Sequence, residues 1–201
     1  MINLIPRYYD VTKGSVKVDG VDVRDMTQKE LRDKLGYVPQ KGVLFSGTID
    51  SNIRYGKPEI TDAQVKEAAE VAQATEFIDT KPEKYKSPVS QGGTNVSGGQ
   101  KQRLSIARAI AKDPEIFIFD DSFSALDFKT DSQLRKALKE YTKDATTVIV
   151  AQRISTILGA DQIIVLDDGH MAGIGTHKEL MANCEVYQQI ARSQLSEEEL
   201  A

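Results

Sequence analysis

The sequence predicts an α/β protein with a mainly parallel sheet flanked by helices. Short apolar runs alternate along the chain with segments of helical periodicity, which is typical of parallel sheets covered by helices. The run Ile116–Phe119 is apolar throughout, as expected of a strand buried on both faces. With 201 residues, 40% of them apolar, and no internal repeat or long linker, the chain is long enough for one substantial core.

Charge and composition exclude several kinds of protein. A net charge of −4, with basic residues dispersed among acidic ones, argues against a nucleic-acid partner. No apolar run approaches the ~18 residues that span a bilayer, and no signal-peptide pattern opens the chain, so we expect it to be soluble. The single cysteine, Cys184, rules out an internal disulfide and fits a reducing compartment.

Local signals divide the first half of the chain into short elements. Asp19-Gly20 suits a two-residue hairpin turn, and the capping-box spacing of Thr27 with Glu30 starts a helix. In order, we expect the end of a helix in residues 1–7, a hairpin in 15–23, a helix from Thr27 that Gly36 ends, and a strand at Tyr37-Val38. One helix over 61–79, capped by Thr61 and Gln64, and a polar loop over 81–93 should follow. The apolar side of that helix is expected to consist of Val65, Ala68, Ala69 and Ala72.

The centre of the chain begins with an anion-binding pattern. Ser97 and Gln100 have capping-box spacing, so a helix should begin near Gly98. Gly98 and Gly99 let a phosphate approach the free amides at the helix start, where the helix dipole adds positive potential. The inward side of this helix is expected to consist of Leu104, Ala107, Ile110 and Ala111.

A strand follows this helix and ends in two carboxylates. Asp113-Pro114 stops the helix, and Asp120 and Asp121 then stand at the carboxyl end of the apolar strand, where open α/β sheets bind ligands. One carboxylate is placed for Mg²⁺ and the other for a water molecule. Taken singly, Ser-Gly-Gly is an ordinary helix start and Asp-Asp an ordinary solvated strand end. Their combination points to a site.

The last third of the chain continues the alternation of helices and strands. Its periodicity and capping residues predict one further parallel strand and a hairpin. In order, we expect an amphipathic helix over 129–142, a buried strand over 146–151, a strand over 163–166 paired with 171–174, a helix that Thr176 and Glu179 cap, a helix over 186–194, and a frayed acidic tail over 196–201.

Six segments together resemble the motifs of ATP-binding cassette (ABC) ATPases of the exporter branch. Asn95–Gln100 looks like the signature motif and Ile116–Asp120 like the Walker B strand. The likeness implies a P-loop NTPase-like fold with a small antiparallel β part. Residues 1–201 would form a partial ATP-binding domain, in which about residues 61–112 form a helical subdomain. The other four segments are similar to the D-loop (Ser124–Asp127), the Q-loop (Tyr37–Gln40 with Leu44-Phe45), the switch segment (Val148–Thr156) and the stretch that contacts coupling helices (Pro88–Gly93).

The resemblance also implies two such domains facing each other head to tail, with each ATP and its Mg²⁺ held between the Walker motifs of one and the signature of the other. The implied partners are thus a second nucleotide-binding domain and a transmembrane domain, at the cytoplasmic face of the cell membrane. The residues implied at the partner's nucleotide are Ser97, Gly98, Gly99, Gln100 and Asp127. At this chain's own site, the implied Mg²⁺ ligands are Gln40 and Asp120, and the implied catalytic residues are Gln40, Asp121 and Gln152.

Three departures from the family pattern concern this chain's own site. The Walker A spacing G-x-x-x-x-G-K-[ST] occurs nowhere among the 14 glycines, and the strand that precedes it is absent too. Asp121 stands where rapidly hydrolysing members have a glutamate base, and its reach is about 1.5 Å shorter. Gln152 stands where they have histidine. The pattern resembles the degenerate half of heterodimeric multidrug exporters, which binds ATP and scarcely cleaves it.

Two other functions are compatible with parts of the sequence. Without a Walker A loop, the chain could be a truncated, non-enzymatic fragment or an interaction module that does not bind nucleotide by itself. A soluble ABC ATPase of translation or DNA repair is disfavoured, because the sequence shows no second cassette, coiled-coil insertion or basic surface.

Overall fold

The computed structural model describes residues 1–196, so the acidic tail predicted after Ser196 lies outside the described residues. The chain divides into two compact units, and the boundary between them falls after Val150. None of the helices formed by residues 1–196 has the length and apolar character that crossing a membrane requires.

The first unit contains seven strands and six α-helices. Capping boxes start its helices at Thr27, Thr61 and Ser97, as the residue spacing predicts. In chain order the elements are β1 (Lys17–Val18), β2 (Val21–Asp22), α1 (Gln28–Asp33), β3 (Leu35–Val38), β4 (Gly47–Thr48), α2 (Ile49–Ile53), α3 (Asp62–Val71), α4 (Thr75–Asp79), β5 (Pro88–Val89), α5 (Gly98–Ala111), β6 (Ile116–Asp120), α6 (Phe128–Tyr141) and β7 (Thr146–Val150).

A three-stranded parallel sheet forms the centre of the first unit, with β6 between β3 and β7. The middle of β6 is almost fully buried, which confirms the prediction from its apolar run: Phe117, Ile118 and Phe119 expose 1% or less of their surface. The expectation of a buried strand after residue 146 is wrong. β7 is largely exposed, because it has a neighbour on one side only among the described residues.

The helices of the first unit pack their apolar sides in two hydrophobic clusters: α1 contributes Leu31 to one, and α2 to α6 contribute to the other. The four residues predicted to face inward on α5 are all buried there, and so are those of α3. The single helix predicted over 61–79 is wrong, because the chain turns at Gln73, whose φ is 54°, and α4 begins afterwards. The buried residues of this stretch are Val65, Ala68, Ala69, Ala72, Phe77 and Ile78.

Three smaller expectations are also corrected. Gly36 does not end α1: it lies inside β3 opposite Phe117, and parallel pairing with β6 sets the strand's start at Leu35. The loop predicted over 81–93 contains β5, which pairs with β4, and two short 3₁₀ turns. The amino-terminal segment is a 3₁₀ turn over Ile2–Leu4 rather than the end of an α-helix.

Up to Ser196, the second unit contains a hairpin and three helices. They are α7 (Ile154–Ile157), β8 (Ile163–Asp167), β9 (His170–Gly175), α8 (His177–Asn183) and α9 (Glu185–Gln194). β8 and β9 pair antiparallel, and a capping box at Thr176 starts α8, both as predicted. Tyr187 on α9 is the largest buried side chain of this unit's core, and its hydroxyl lies 2.8 Å from Nδ1 of His177.

Candidate functional site

The carboxylate that ends β6 is held by a tyrosine from the neighbouring strand. The hydroxyl of Tyr37 lies 3.0 Å from Oδ2 of Asp120 and 3.1 Å from Oδ1 of Asn3. Burial, and next the carboxylate of Asp120, raise the pKa of Tyr37 to about 12. The tyrosine is therefore protonated at neutral pH, so it donates its proton to a carboxylate whose orientation it fixes.

The next residue, Asp121, is fixed at its backbone and at its side chain. Its φ is 44°, a left-handed conformation that aspartate tolerates better than most residues. The N–H of Asp121 donates to the carbonyl of Val150 at 3.0 Å, and the carbonyl of Asp121 accepts from the hydroxyl of Ser124 at 3.0 Å. Nε2 of Gln40 donates to Oδ2 of Asp121 at 3.0 Å. The loop after β3 and the end of β6 therefore meet at one carboxylate.

The start of α5 is an exposed group of backbone donors. The hydroxyl of Ser97 accepts the N–H of Gln100, and the Gln100 side chain accepts the N–H of Ser97, each at 3.2 Å. In residues 1–196 no acceptor is hydrogen-bonded to the N–H of Gly98 or Gly99, as expected for the first turn of a helix. Gly98 is exposed, and a Cβ added there would have no atom within 4 Å. The geometry suits an anion.

The segment before α6 lies beside this helix start. A Cβ added at Gly99 would be 3.5 Å from the carbonyl oxygen of Ala125 and 3.8 Å from the side chain of Leu126. Asp127 caps α6 by accepting the N–H of Thr130 at 3.0 Å, a bond that lowers the pKa of the carboxyl. Asp127 is exposed, so its second oxygen can accept another donor.

Gln152 belongs to the second unit. Its side chain is exposed, and its backbone carbonyl accepts a hydrogen bond of 2.9 Å from Nε2 of Gln194 on α9. The structure thus brings Gln40, Asp120 and Asp121 to one edge of the sheet, and Ser97 to Gln100 to one helix end.

Two residues that support the site were not predicted individually from the sequence. Tyr37 was predicted only as part of the Q-loop resemblance, and Gln102 was not predicted. Gln102 is 2% exposed on α5. A signal for it exists, because Gln102, Ser105, Ile106 and Ala109 form a second buried stripe at helical spacing, in which a glutamine needs polar partners.

The oxygen donors at the end of β6 fit a magnesium ion. Asp120 offers a carboxylate, and the amide oxygen of Gln40 is available while its nitrogen bonds Asp121. Mg²⁺ is usually held by one or two such oxygens, with water and phosphate completing its octahedron. The described part of the chain contains no cluster of three or more His, Cys, Asp or Glu that could hold a metal.

Comparison with known proteins gives a single answer. A family model described as "ABC transporter" matches residues 1–124. An ABC transporter ATP-binding protein of Mycobacterium tuberculosis is 47% identical over 197 residues, which cover 96% of this chain and 34% of that protein. A multidrug export ATP-binding/permease protein of Staphylococcus aureus is 46% identical over 190 residues, 94% of this chain and 33% of that protein.

The solved structures agree with these relatives. A bacterial Atm1-family ABC exporter with ATP bound superposes with a TM-score of 0.93 and 39% identity, over 97% of this chain and 34% of the exporter chain. The chain therefore spans about a third of the length of the proteins it matches. This likeness confirms the predicted P-loop NTPase-like α/β fold.

Proposed function

The chain belongs to the ABC transporter family, and from that premise we propose that it is the ATP-binding part of an exporter, which couples ATP binding and hydrolysis to export. The observation that carries the proposal is the start of α5, where Gly98 is exposed with open space around it. A phosphate carried by another polypeptide can reach an exposed helix end, whereas it could not reach a buried helix end.

The residues at the start of α5 would act on a nucleotide that the partner holds. Ser97, Gly98, Gly99 and Gln100 would bind its γ-phosphate through backbone and hydroxyl donors. Asp127, exposed at the start of α6, would contact the same nucleotide site from the D-loop. The close approach of Gly99 to Ala125 supports a joint role for the two segments.

The chain's own site would lie at the carboxyl end of β6. Asp120 and Gln40 would hold Mg²⁺, which neutralises charge on the phosphates when it is bound. Asp121 would polarise the attacking water, with Gln40 held 3.0 Å away and Gln152 in the switch position. We further propose that hydrolysis at this site is impaired, because Asp121 has a shorter reach than glutamate and Gln152, unlike histidine, cannot become positively charged by protonation.

These assignments extend to the arrangement of the protein. We propose that residues 1–201 are part of one ATP-binding domain, in which about 61–112 form the helical subdomain; the packing of α3 against α5 supports this. The partners would be a second nucleotide-binding domain, making a heterodimer with one hydrolytic site, and a transmembrane domain. The exporter relatives support a position at the cytoplasmic face of the cell membrane.

An ATPase assay tests the proposal on the chain extended at its amino terminus by a Walker A segment and combined with a partner cassette. Gly98→Glu should abolish activity almost completely, because it brings a negative charge to the place of the γ-phosphate. Asp121→Asn should change activity less than about twofold, since the partner's nucleotide is the one cleaved. Gly159→Glu is the matched control, an equal charge at another exposed glycine with open surroundings. The reverse ranking of the first two variants would refute the assignment.

The second candidate function is a fragment or interaction module that binds no nucleotide. It is favoured by the absence of the Walker A spacing from the sequence. Titration calorimetry of the chain with ATP and Mg²⁺ shows whether the chain binds nucleotide by itself. We expect no binding at micromolar nucleotide, and a saturable isotherm would show that the chain holds ATP without a Walker A loop.

A further inference from the structure

A buried glutamine on α5 holds both ends of the loop that carries Gln40. Oε1 of Gln102 accepts the N–H of Gly42 at 3.0 Å, and Nε2 of Gln102 donates to the carbonyl of Pro39 at 3.2 Å. Pro39 and Gly42 bracket Gln40 and Lys41. One side-chain amide thus satisfies a backbone donor and a backbone acceptor on either side of the exposed Gln40.

The loop also lies directly on the backbone of α5. A Cβ added at Gly42 would be 2.8 Å from Oγ of Ser105 and 3.0 Å from the carbonyl oxygen of Lys101, so a side chain there would force the loop or the helix to shift. The loop therefore runs close to the helix backbone, and the two bonds of Gln102 tie it there.

Other bonds fix the backbone of Asp121, which carries the carboxylate that Gln40 reaches. The N–H of Asp121 donates to the carbonyl of Val150, and its carbonyl accepts from the hydroxyl of Ser124. The 3.0 Å bond between Gln40 and Asp121 consequently depends on where the loop presents Gln40. Gln102 is the residue on α5 whose side-chain bonds decide that.

We propose that Gln102 is a positioning residue, whose side-chain amide ties the loop around Gln40 to the second turn of α5 and so aligns Gln40 with Asp121. The proposal rests on the proposed function only in giving Gln40 and Asp121 a role in hydrolysis. Because α5 begins at Gly98, the two hydrogen bonds of Gln102 would connect the proposed phosphate-binding end of α5 to the proposed hydrolytic residues of this chain.

A positioning role makes different demands from a packing role. Methionine fills a space similar to that of glutamine but bonds neither Pro39 nor Gly42, so Gln102→Met keeps the packing and loses the alignment. Gln102→Glu keeps the acceptor for Gly42 and loses the donor to Pro39 while the introduced carboxyl is ionised. Once protonated, that carboxyl regains a donor, and the alignment should return.

The test uses the full chain labelled with ¹⁵N and follows the side-chain amide signals of Gln40 by NMR, without nucleotide. In Gln102→Met we expect these signals to move toward the position of a free glutamine and their proton exchange to become about tenfold faster. In Gln102→Glu we expect the same displacement at neutral pH and its reversal on acidification, with the wild-type titration as reference. Ser105→Ala, a buried neighbour on the same stripe, is the matched control and should leave the Gln40 signals in place.

Unchanged Gln40 signals in both Gln102 variants would overturn the proposal. An equal displacement in Ser105→Ala would overturn it too, because packing alone would then suffice. If Gln102→Met does not fold, the acid-dependent return of the signals in Gln102→Glu remains decisive. The readout needs no ATP, so its failure is distinct from failure of the ATPase assay on Gly98→Glu.

Discussion

The hydroxyl of Tyr37 lies 3.0 Å from Oδ2 of Asp120, which joins neighbouring parallel strands at the point where each ends. Because the pKa of Tyr37 is raised from 10.0 to about 12, the folded state keeps a proton there that the unfolded chain loses. The stability that this contributes is fully present below pH 10 and is lost as pH rises toward about 12.

Tyr37→Phe should remove that pH dependence. We expect urea unfolding of the wild type to show a steeper loss of stability between pH 10 and 12 than unfolding of Tyr37→Phe. Tyr9→Phe, an exposed tyrosine, serves as the control and should follow the wild type. Parallel pH profiles for the wild type and Tyr37→Phe would contradict the raised pKa of Tyr37.

Arg108 is a second structural connection that can be tested. It donates to the backbone carbonyls of Asn52 and Val43 and to Oδ1 of Asn52, at 2.8 to 2.9 Å, and lies over the stacked rings of Phe45 and Tyr55. Arg108→Met removes these three hydrogen bonds and should lower the free energy of unfolding by about 3 kcal/mol. Arg108→Lys, which keeps the charge and loses the planar fork, should be intermediate. Equal stability of Arg108→Met and wild type in urea would count against the contacts.

Gly36 should be intolerant of any side chain. A Cβ there would be 2.6 Å from Cγ of Pro114 and 3.3 Å from the carbonyl of Ala109, so Gly36→Ala should cost about 1–3 kcal/mol of stability. Gly98→Ala is the comparison, because an added Cβ at that glycine meets no atom within 4 Å. Thermal denaturation of both variants measures the difference. A Gly36→Ala protein as stable as Gly98→Ala would show that β3 and α5 are packed less closely than described.

Two helix-capping residues, Ser97 and Thr61, allow an effect on stability to be distinguished from an effect on function. Ser97 and Thr61 cap α5 and α3 with the same paired hydrogen bonds, so Ser97→Ala and Thr61→Ala should each lower the stability by about 1 kcal/mol. In the reconstituted ATPase assay, Ser97→Ala alone should reduce activity beyond what the stability loss explains. Matching activity losses in the two variants would mean that Ser97 acts only as a cap.

The sequence predicted best those features that neighbouring residues determine. The four capping boxes that residue spacing predicted and the hairpin turn at Asp19-Gly20 depend on side chains within a few residues, and each formed as expected. The break at Gln73 was missed, because neither glycine nor proline marks that turn. The exposure of β7 was missed for another reason: strand burial is decided by neighbours distant in sequence.

The candidate site divides in the same way. Motif resemblance predicted that Asp121 and Gln40 belong together, and their side chains form a hydrogen bond in the structure. The supporting roles of Tyr37 and Gln102 depend on partners 83 and 60 or more residues away, which periodicity does not identify.

The left-handed backbone at residue 121 limits which acid can replace aspartate in the proposed hydrolytic site. Among the acids, aspartate accepts such a φ with less strain than glutamate, so Asp121→Glu would gain reach at a cost on the order of 1 kcal/mol in folding. Directed evolution toward higher turnover should therefore select compensating changes in the turn after β6 together with the longer acid, rather than the longer acid alone.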